Sequence, residues 1–401
     1  MRFSEGRTGM SNIEWTEKTW NPVVGCSRVS EGCRNCYAEV MARRLAAMAI
    51  KDGGKGRKAN YLNVVKHDAM GMPLPQWNGT VRCVHEALGD PLRWVKPRMV
   101  FVNSMSDLFH ENVPLDYIIK VLAVCAICHQ HTMQILTKRT KRMFEVVTMG
   151  DLGHRIYQQV QDWLDEGEQG FLGNQWDRVH AMAGEHVTGG RFELMAWKLP
   201  LANVWLGTST EDQSTYDQRH PHIDKLTTAG WTTFLSIEPL LGEIVMNEDS
   251  SYCEWCGPAY TPLHCDDGFG GGDEFCADCA ADDPDSISTI MGYGLGISWV
   301  IVGGESGHDA RPCNIDHIRS IVEQCKQAGV ACFVKQLGSK PYYVDEANKR
   351  CGGAVAVPVS AVAFGGWEHT GKMCKHPKGS DPFEWPADLR VREWPQIGGG
   401  A

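Results

Sequence analysis

From residue 99 onward, short β-branched or aromatic runs alternate with longer helical stretches, and that rhythm leaves few architectures open. The runs are Met99–Asn103, Met133–Thr137, Val204–Thr208, Thr233–Ile237, Trp299–Val302 and Cys332–Lys335. Their near-continuous apolarity predicts strands buried on both faces, as in a parallel sheet covered by helices. Helices are expected between them at 115–128, 140–149, 217–229 and 314–328, and an earlier strand near Thr19–Val24 precedes the series. Six or seven such strands predict an α/β fold on a partial or complete parallel (β/α) barrel, with an open sheet as the alternative. Most runs end at once in polar or glycine-bearing segments, namely Ser104–Asp107, Lys138–Arg142, Ser209–Asp212, Glu238-Pro239 and 303–307. Functional groups are therefore expected at the C-terminal ends of the strands.

The barrel core is expected over 11–345, with two interruptions. Residues 151–198 are polar and read as a partly helical insertion over one face; 247–295 form a second insertion; 346–401 are a glycine- and proline-rich extension anchored by its tryptophans. There is no apolar run of about 18 residues and no basic-then-apolar leader, so a cytoplasmic protein without membrane partners is expected. Sixteen cysteines would suit a secreted disulfide framework, but at least seven fall in two metal-like clusters, which points to intracellular thiols. A net charge of −10 argues against a simple nucleic-acid coat. A local basic channel stays open, from Arg43-Arg44, residues 51–58 and the run 138–142, beside the plainer reading of solvated faces.

In the second insertion, Cys253-x2-Cys256 and Cys276-x2-Cys279 form paired knuckles, the tetrahedral sulfur set that Zn²⁺ prefers. The 19 residues between the pairs are too polar and glycine-rich to fold by burial, so a structural zinc, zinc-ribbon-like, is expected to staple them. His264 and Cys265 are spare ligands or simple loop residues.

Near the N-terminus, Cys26, Cys33 and Cys36 are spaced C-x6-C-x2-C, with no further cysteine before Cys83. A helix expected over 37–50 puts them in a loop entering a helix N-terminus, where thiolates are favoured. A structural zinc with a distant fourth ligand and a redox pair from Cys33 and Cys36 both remain open. The remaining reading is a [4Fe–4S] cluster on three thiolates, whose fourth iron is free to bind S-adenosylmethionine and pass it an electron.

The segments Asn12-Ile13-Glu14-Trp15-Thr16, Trp20-Asn21-Pro22, Gly25-Cys26 with Cys33 and Cys36-Tyr37-Ala38, residues 102–109, Leu136-Thr137-Lys138-Arg139, Trp205-Leu206-Gly207 and Gly303-Gly304-Glu305-Ser306-Gly307 together resemble the phage Gp37/Gp68 family. These are radical-SAM-like proteins of phages and bacteria described by a three-cysteine motif, and the resemblance covers most of 11–340 outside the two insertions. It implies a radical SAM barrel, a [4Fe–4S] cluster on Cys26, Cys33 and Cys36, bound S-adenosylmethionine, and an electron donor such as flavodoxin or ferredoxin. The chain departs from the superfamily's C-x3-C-x2-C spacing, and Asn35 stands where an aromatic is expected, with Tyr37 after the last cysteine. Its Gly-Gly-Glu element also comes late, at 303–305.

The strand-end groups are the remaining cofactor candidates. Asn103, Ser104, Ser106 and Asp107 suit the methionine ammonium, a ribose hydroxyl or the substrate, or else cap a helix. Lys138 and Arg139 suit a carboxylate or phosphate, or a surface cluster. Thr208, Ser209, Thr210 and Glu211 suit the ribose or a helix cap; Glu238 suits the adenosine or the substrate. Gly303 and Gly304 permit close backbone approach and Glu305 could bind an amine, unless this is an ordinary turn. Lys335 and Gln336 point to the same face, and His67, His110, His129 and His131 take no role.

Phage relatives imply action on modified phage DNA in the host cytoplasm. The specific expectation is isomerisation of N-linked to C-linked glycinyl thymidine through a captured carbon radical. A base in duplex DNA would be flipped into the barrel mouth, with Trp176, Trp197, Trp205 or Trp299 available to stack on it. The alternatives are radical chemistry on a free nucleotide or small molecule, and a non-catalytic, metal-stabilised nucleic-acid-binding or regulatory protein.

Overall fold

The computed structural model describes residues 13–183, 187–188, 195–246, 295–344, 356–358 and 376–395. The expected zinc ligands Cys253, Cys256, Cys276 and Cys279 lie outside the described residues. Seven parallel strands cross one sheet in sequence order: β1 Lys18–Trp20, β2 Met99–Val102, β3 Thr132–Thr137, β4 Val204–Ser209, β5 Thr232–Ile237, β6 Trp299–Gly303 and β7 Ala331–Gln336. Helix α1 (Tyr37–Lys51) follows β1 and α2 (Leu115–Ile127) links β2 to β3. After β3 come α3 (Thr140–Val147) and α4 (Leu152–Asp165); α5 (Gln213–Thr228) and α6 (Ile315–Gln327) precede β5 and β7.

Two expectations shift for local reasons. The strand expected over Thr19–Val24 is split, because Pro22 has no N–H to give a ladder. Lys18–Trp20 joins the sheet, whereas Val23–Val24 pairs antiparallel with Arg82–Cys83. Helix α5 starts four residues earlier than its apolar pattern suggests, since Asp212 and Thr215 cap each other's backbone N–H groups reciprocally.

Side chains alternate across the sheet with period two. Val100, Ile135, Leu206, Leu235, Val300 and Val334 face the helices and share their large core. Helix α4 joins that core through Leu152, Ile156, Val160 and Trp163, so the polar segment 151–198 carries part of the helical layer. The other face gathers Phe101, Trp205, Phe234, Trp299, Ile301 and Phe333 into a separate cluster. In a flat sheet β2 and β6 would stand roughly 19 Å apart. Trp15 nevertheless touches both, with its ring centroid 4.8 Å from Phe101 and 6.3 Å from Trp299. The sheet is therefore curled into a half-barrel around an aromatic floor. Gly207 lets it close, since a Cβ there would lie 2.4 Å from the Phe234 ring.

The C-terminal extension finishes the floor. Val334 N–H donates to the Val391 carbonyl at 2.9 Å, and Glu393 N–H donates to the Cys332 carbonyl at 2.8 Å. Trp394 packs on Phe333, Trp385 enters the main core, and Arg392 pairs with Glu14 at 2.6 Å. Trp205 and Trp299 thus belong to the floor and Trp197 to the core behind the sheet, while Trp176 stacks on His180. Trp197, Trp205 and Trp299 are buried, the core role open to them beside stacking on a base. No helix among the described residues is long and apolar enough to cross a membrane.

Emptying the floor should be costly. Trp299→Ala is expected to lower the unfolding free energy by about 3–5 kcal/mol. Met70→Ala, at a side chain 90% exposed, should change it by no more than about 0.5 kcal/mol. Urea titration of both variants checks the contrast.

Candidate active site

The three cysteines lie on one loop across the C-terminal rim of the half-barrel. Gly25 starts it with φ of +87°, and a Cβ there would sit 2.2 Å from the Thr80 carbonyl oxygen. Cys26 follows, Cys33 ends a short 3₁₀ turn, and Cys36 is the N-cap residue of α1. All three are partly buried and unpaired. Burial pushes the Cys36 thiol up, against a smaller lowering effect of the Ala38 and Glu39 amides. Burial, and then the Asp107 charge, pushes Cys26 up to about 12, with Cys33 and Cys36 adding repulsion.

Three such thiolates are stable together only beside compensating positive charge, which a metal centre supplies. Among the described residues no three His, Cys, Asp or Glu side chains converge to hold a single metal ion. In a [4Fe–4S] cluster each thiolate takes its own iron, so the sulfurs stand apart by the width of the cluster. Three half-buried, unpaired thiols on one loop fit that donor set.

Buried charges from the strand ends hold the loop. Asp107, after β2, accepts from Phe109 N–H (3.0 Å), Thr137 Oγ1 (2.7 Å), Lys138 N–H (3.2 Å) and Arg139 Nη1 (3.0 Å). Arg139, after β3, also reaches Glu111 at 2.8 Å, Ser27 Oγ at 2.8 Å and the Cys26 sulfur at 3.9 Å. His110 meets Ser27 Oγ at 2.9 Å; Asn112 N–H donates to its Nδ1, which leaves Nε2 to carry the proton toward Ser27.

Glu211, after β4, accepts from Gly32 N–H at 3.2 Å, Lys138 Nζ at 3.1 Å and Arg219 Nη1 at 3.0 Å. Burial raises its pKa, but Lys138 and Arg219 together outweigh that and hold the carboxyl below its ordinary value. A Cβ on Gly32 would fall 2.8 Å from the Glu211 carboxyl carbon, so this close approach requires glycine. Glu305, after β6, accepts from Arg311 N–H, Nε and Nη2 and from Asn35 Nδ2, all within 3.0 Å. Arg311 also donates to the Glu31 carbonyl at 2.9 Å.

The other candidates divide by role. Asn103 takes a left-handed backbone at φ of 61° and accepts from Val23 N–H. Ser106 Oγ donates to the Val23 carbonyl, Ser104 Oγ to Asn21, and the exposed Tyr37 reaches the Ser104 carbonyl with its hydroxyl. Thr208 Oγ1 ties β4 to the Thr137 carbonyl, and the Ser209 carbonyl accepts from Arg219. The Gly304 amide donates to the Gln336 carbonyl, and Gln336 Nε2 returns a bond to the Gly304 carbonyl. Glu238 meets Lys335 at 2.9 Å beside Gly303, on the inner side of the rim.

In the run 138–142, Lys138 pairs with Glu211, Arg139 with Asp107, and Arg142 donates to the carbonyls of His110 and Val113. Asn35, Arg219 and Arg311 carry no motif; Asn35 meets Glu305 across 270 residues and Arg311 meets Glu31 across 280, contacts that only folding makes.

A family model described as "Protein of unknown function (DUF5131)" matches residues 10–357. The chain belongs to the DUF5131 family. The family match spans the three cysteines, all seven strands and every clasp of the loop, and ends before Trp385 and Trp394. No curated protein and no solved structure matches the chain.

Removing a clasp should cost according to burial. Asp107→Ala removes the buried carboxylate from the Arg139 guanidinium, leaving it only the exposed Glu111, and should destabilise the fold by about 3–5 kcal/mol. Glu111, whose side chain is 62% exposed, should cost about 1 kcal/mol or less when replaced by alanine. Denaturant titration of the two variants separates them.

Proposed function

We propose that the chain is a radical SAM enzyme. The observation that carries this reading is the seat of Cys26, Cys33 and Cys36, gathered on the loop after β1 over the C-terminal rim of a curled parallel sheet. When bound there, a [4Fe–4S] cluster offers an open iron to the amino and carboxylate groups of S-adenosylmethionine and an electron that releases a 5′-deoxyadenosyl radical.

The chain's own groups support such a site. The Arg139 guanidinium beside Cys26 favours the thiolate. Glu211, Glu305 and Arg311 hold the loop through Gly32, Asn35 and the Glu31 carbonyl. Ser104 and Ser209 stand on the rim as polar groups for the cofactor, and the aromatic floor closes the opposite end against water. For substrate we propose a carbon centre on a thymine-type base of phage DNA, with N-linked to C-linked glycinyl isomerisation as the specific reaction. A small redox protein would supply the electron.

Anaerobic reconstitution tests the reading. The full chain should take up about four irons and four sulfides, give an EPR signal on reduction that changes with S-adenosylmethionine, and form 5′-deoxyadenosine. Cys26→Ala, Cys33→Ala and Cys36→Ala should each lose the signal while keeping their circular dichroism. A colourless protein holding only zinc, with no S-adenosylmethionine binding, would sink the proposal.

A further inference from the structure

Glu238 and Lys335 meet on the inner side of the rim. Lys335 is the extra residue where the pairing of β7 with β6 shifts register, beside Gly303, which follows Ile301 of the aromatic floor by two residues. Its Nζ reaches Glu238 Oε2 at 2.9 Å. The contact passes over β6 at Gly303, where a Cβ would lie 2.7 Å from Glu238 Oε1.

The two oxygens of Glu238 differ. Oε2 holds Lys335, whereas Oε1 is buried and takes no hydrogen bond among the described residues. A buried acceptor left bare costs about 1–3 kcal/mol, more for a charged one, so a donor from a ligand would repair a standing defect. The ammonium carries three donors, and Glu238 takes one of them. The pair therefore presents a free acceptor next to free donors at zero net charge. A phosphate or carboxylate would meet the Glu238 charge, and a simple cation would meet Lys335. The complement is a neutral planar edge with an N–H beside an acceptor.

We propose that Glu238 and Lys335 read the hydrogen-bonding edge of a pyrimidine base, with Glu238 Oε1 accepting from N3–H and Lys335 Nζ donating to O4. The inference rests on the radical SAM reading for its biological setting and names the substrate contact within it. Such readout of a base's pairing edge is how enzymes hold an extruded nucleotide. The adenine of the cofactor carries a similar donor–acceptor edge, and the test separates the two sources.

Equilibrium binding of thymidine, 3-methylthymidine and S-adenosylhomocysteine to the full chain decides the matter. Thymidine should bind, and Glu238→Ala and Lys335→Met should each weaken it about tenfold or more. The N3-blocked 3-methylthymidine should be weakened similarly on the unaltered chain, an arm that stands even if a substitution unfolds the protein. S-adenosylhomocysteine should bind all three chains alike. The proposal is overturned if thymidine does not bind, if its binding ignores both substitutions and the N3 methyl, or if the loss is confined to S-adenosylhomocysteine. Nucleoside binding and iron–sulfur assembly are separate readouts, so either reading can fail without the other.

Discussion

Everything on the functional side follows from the curl of the parallel sheet around Trp15, Phe101, Trp205, Trp299 and Phe333. Large rings on one face and Gly207 among them let strands that would be far apart in a flat sheet converge on a shared filling. Because all seven strands are parallel, the same curl brings their C-terminal ends onto one rim. Side chains distant in sequence then meet there: Asp107 from β2, Arg139 from β3, Glu211 from β4 and Glu305 from β6.

Buried carboxylates are expensive, and each of those three is fully answered. Asp107 has Arg139, Glu211 has Lys138 and Arg219, and Glu305 has Arg311. Such pairs contribute little net stability over apolar packing, but breaking one partner is costly. Their effect here is positional: the loop from Cys26 to Cys36 is short and polar, and its apolar packing is at its two end cysteines. Charge-assisted bonds to Gly32, Asn35, Ser27 and the Glu31 carbonyl fix it where hydrophobic packing cannot.

The strand–helix rhythm was legible because strands buried on both faces are rich in apolar residues, and the runs in β2 to β7 are, polar residues gathering toward their C-terminal ends. The cysteine loop was legible from spacing. Other features depend on information that local pattern does not carry. Pro22 divided a strand that β-propensity alone would continue, and the Asp212–Thr215 box began α5 before its apolar residues do. Tryptophan is equally suited to a core and to base stacking, so only the curl reveals that Trp205 and Trp299 are floor. Lys138 and Arg139 were open to a ligand or a surface role for the same reason; their carboxylate partners are 73 and 32 residues away.

The rim carboxylates are not equivalent, and the difference separates scaffold from chemistry. In Asp107, Glu211 and Glu305 both oxygens accept from protein donors, so a ligand would have to displace a structural bond to reach them. Glu238 alone among these four keeps one oxygen bare while standing on the concave face. A protein tolerates such a defect where a bound partner will satisfy it, since the penalty is then present only in the empty state. The late Gly303-Gly304-Glu305 element fits the same division. Its glutamate holds the cysteine loop, while its first glycine clears the space in which Glu238 and Lys335 meet.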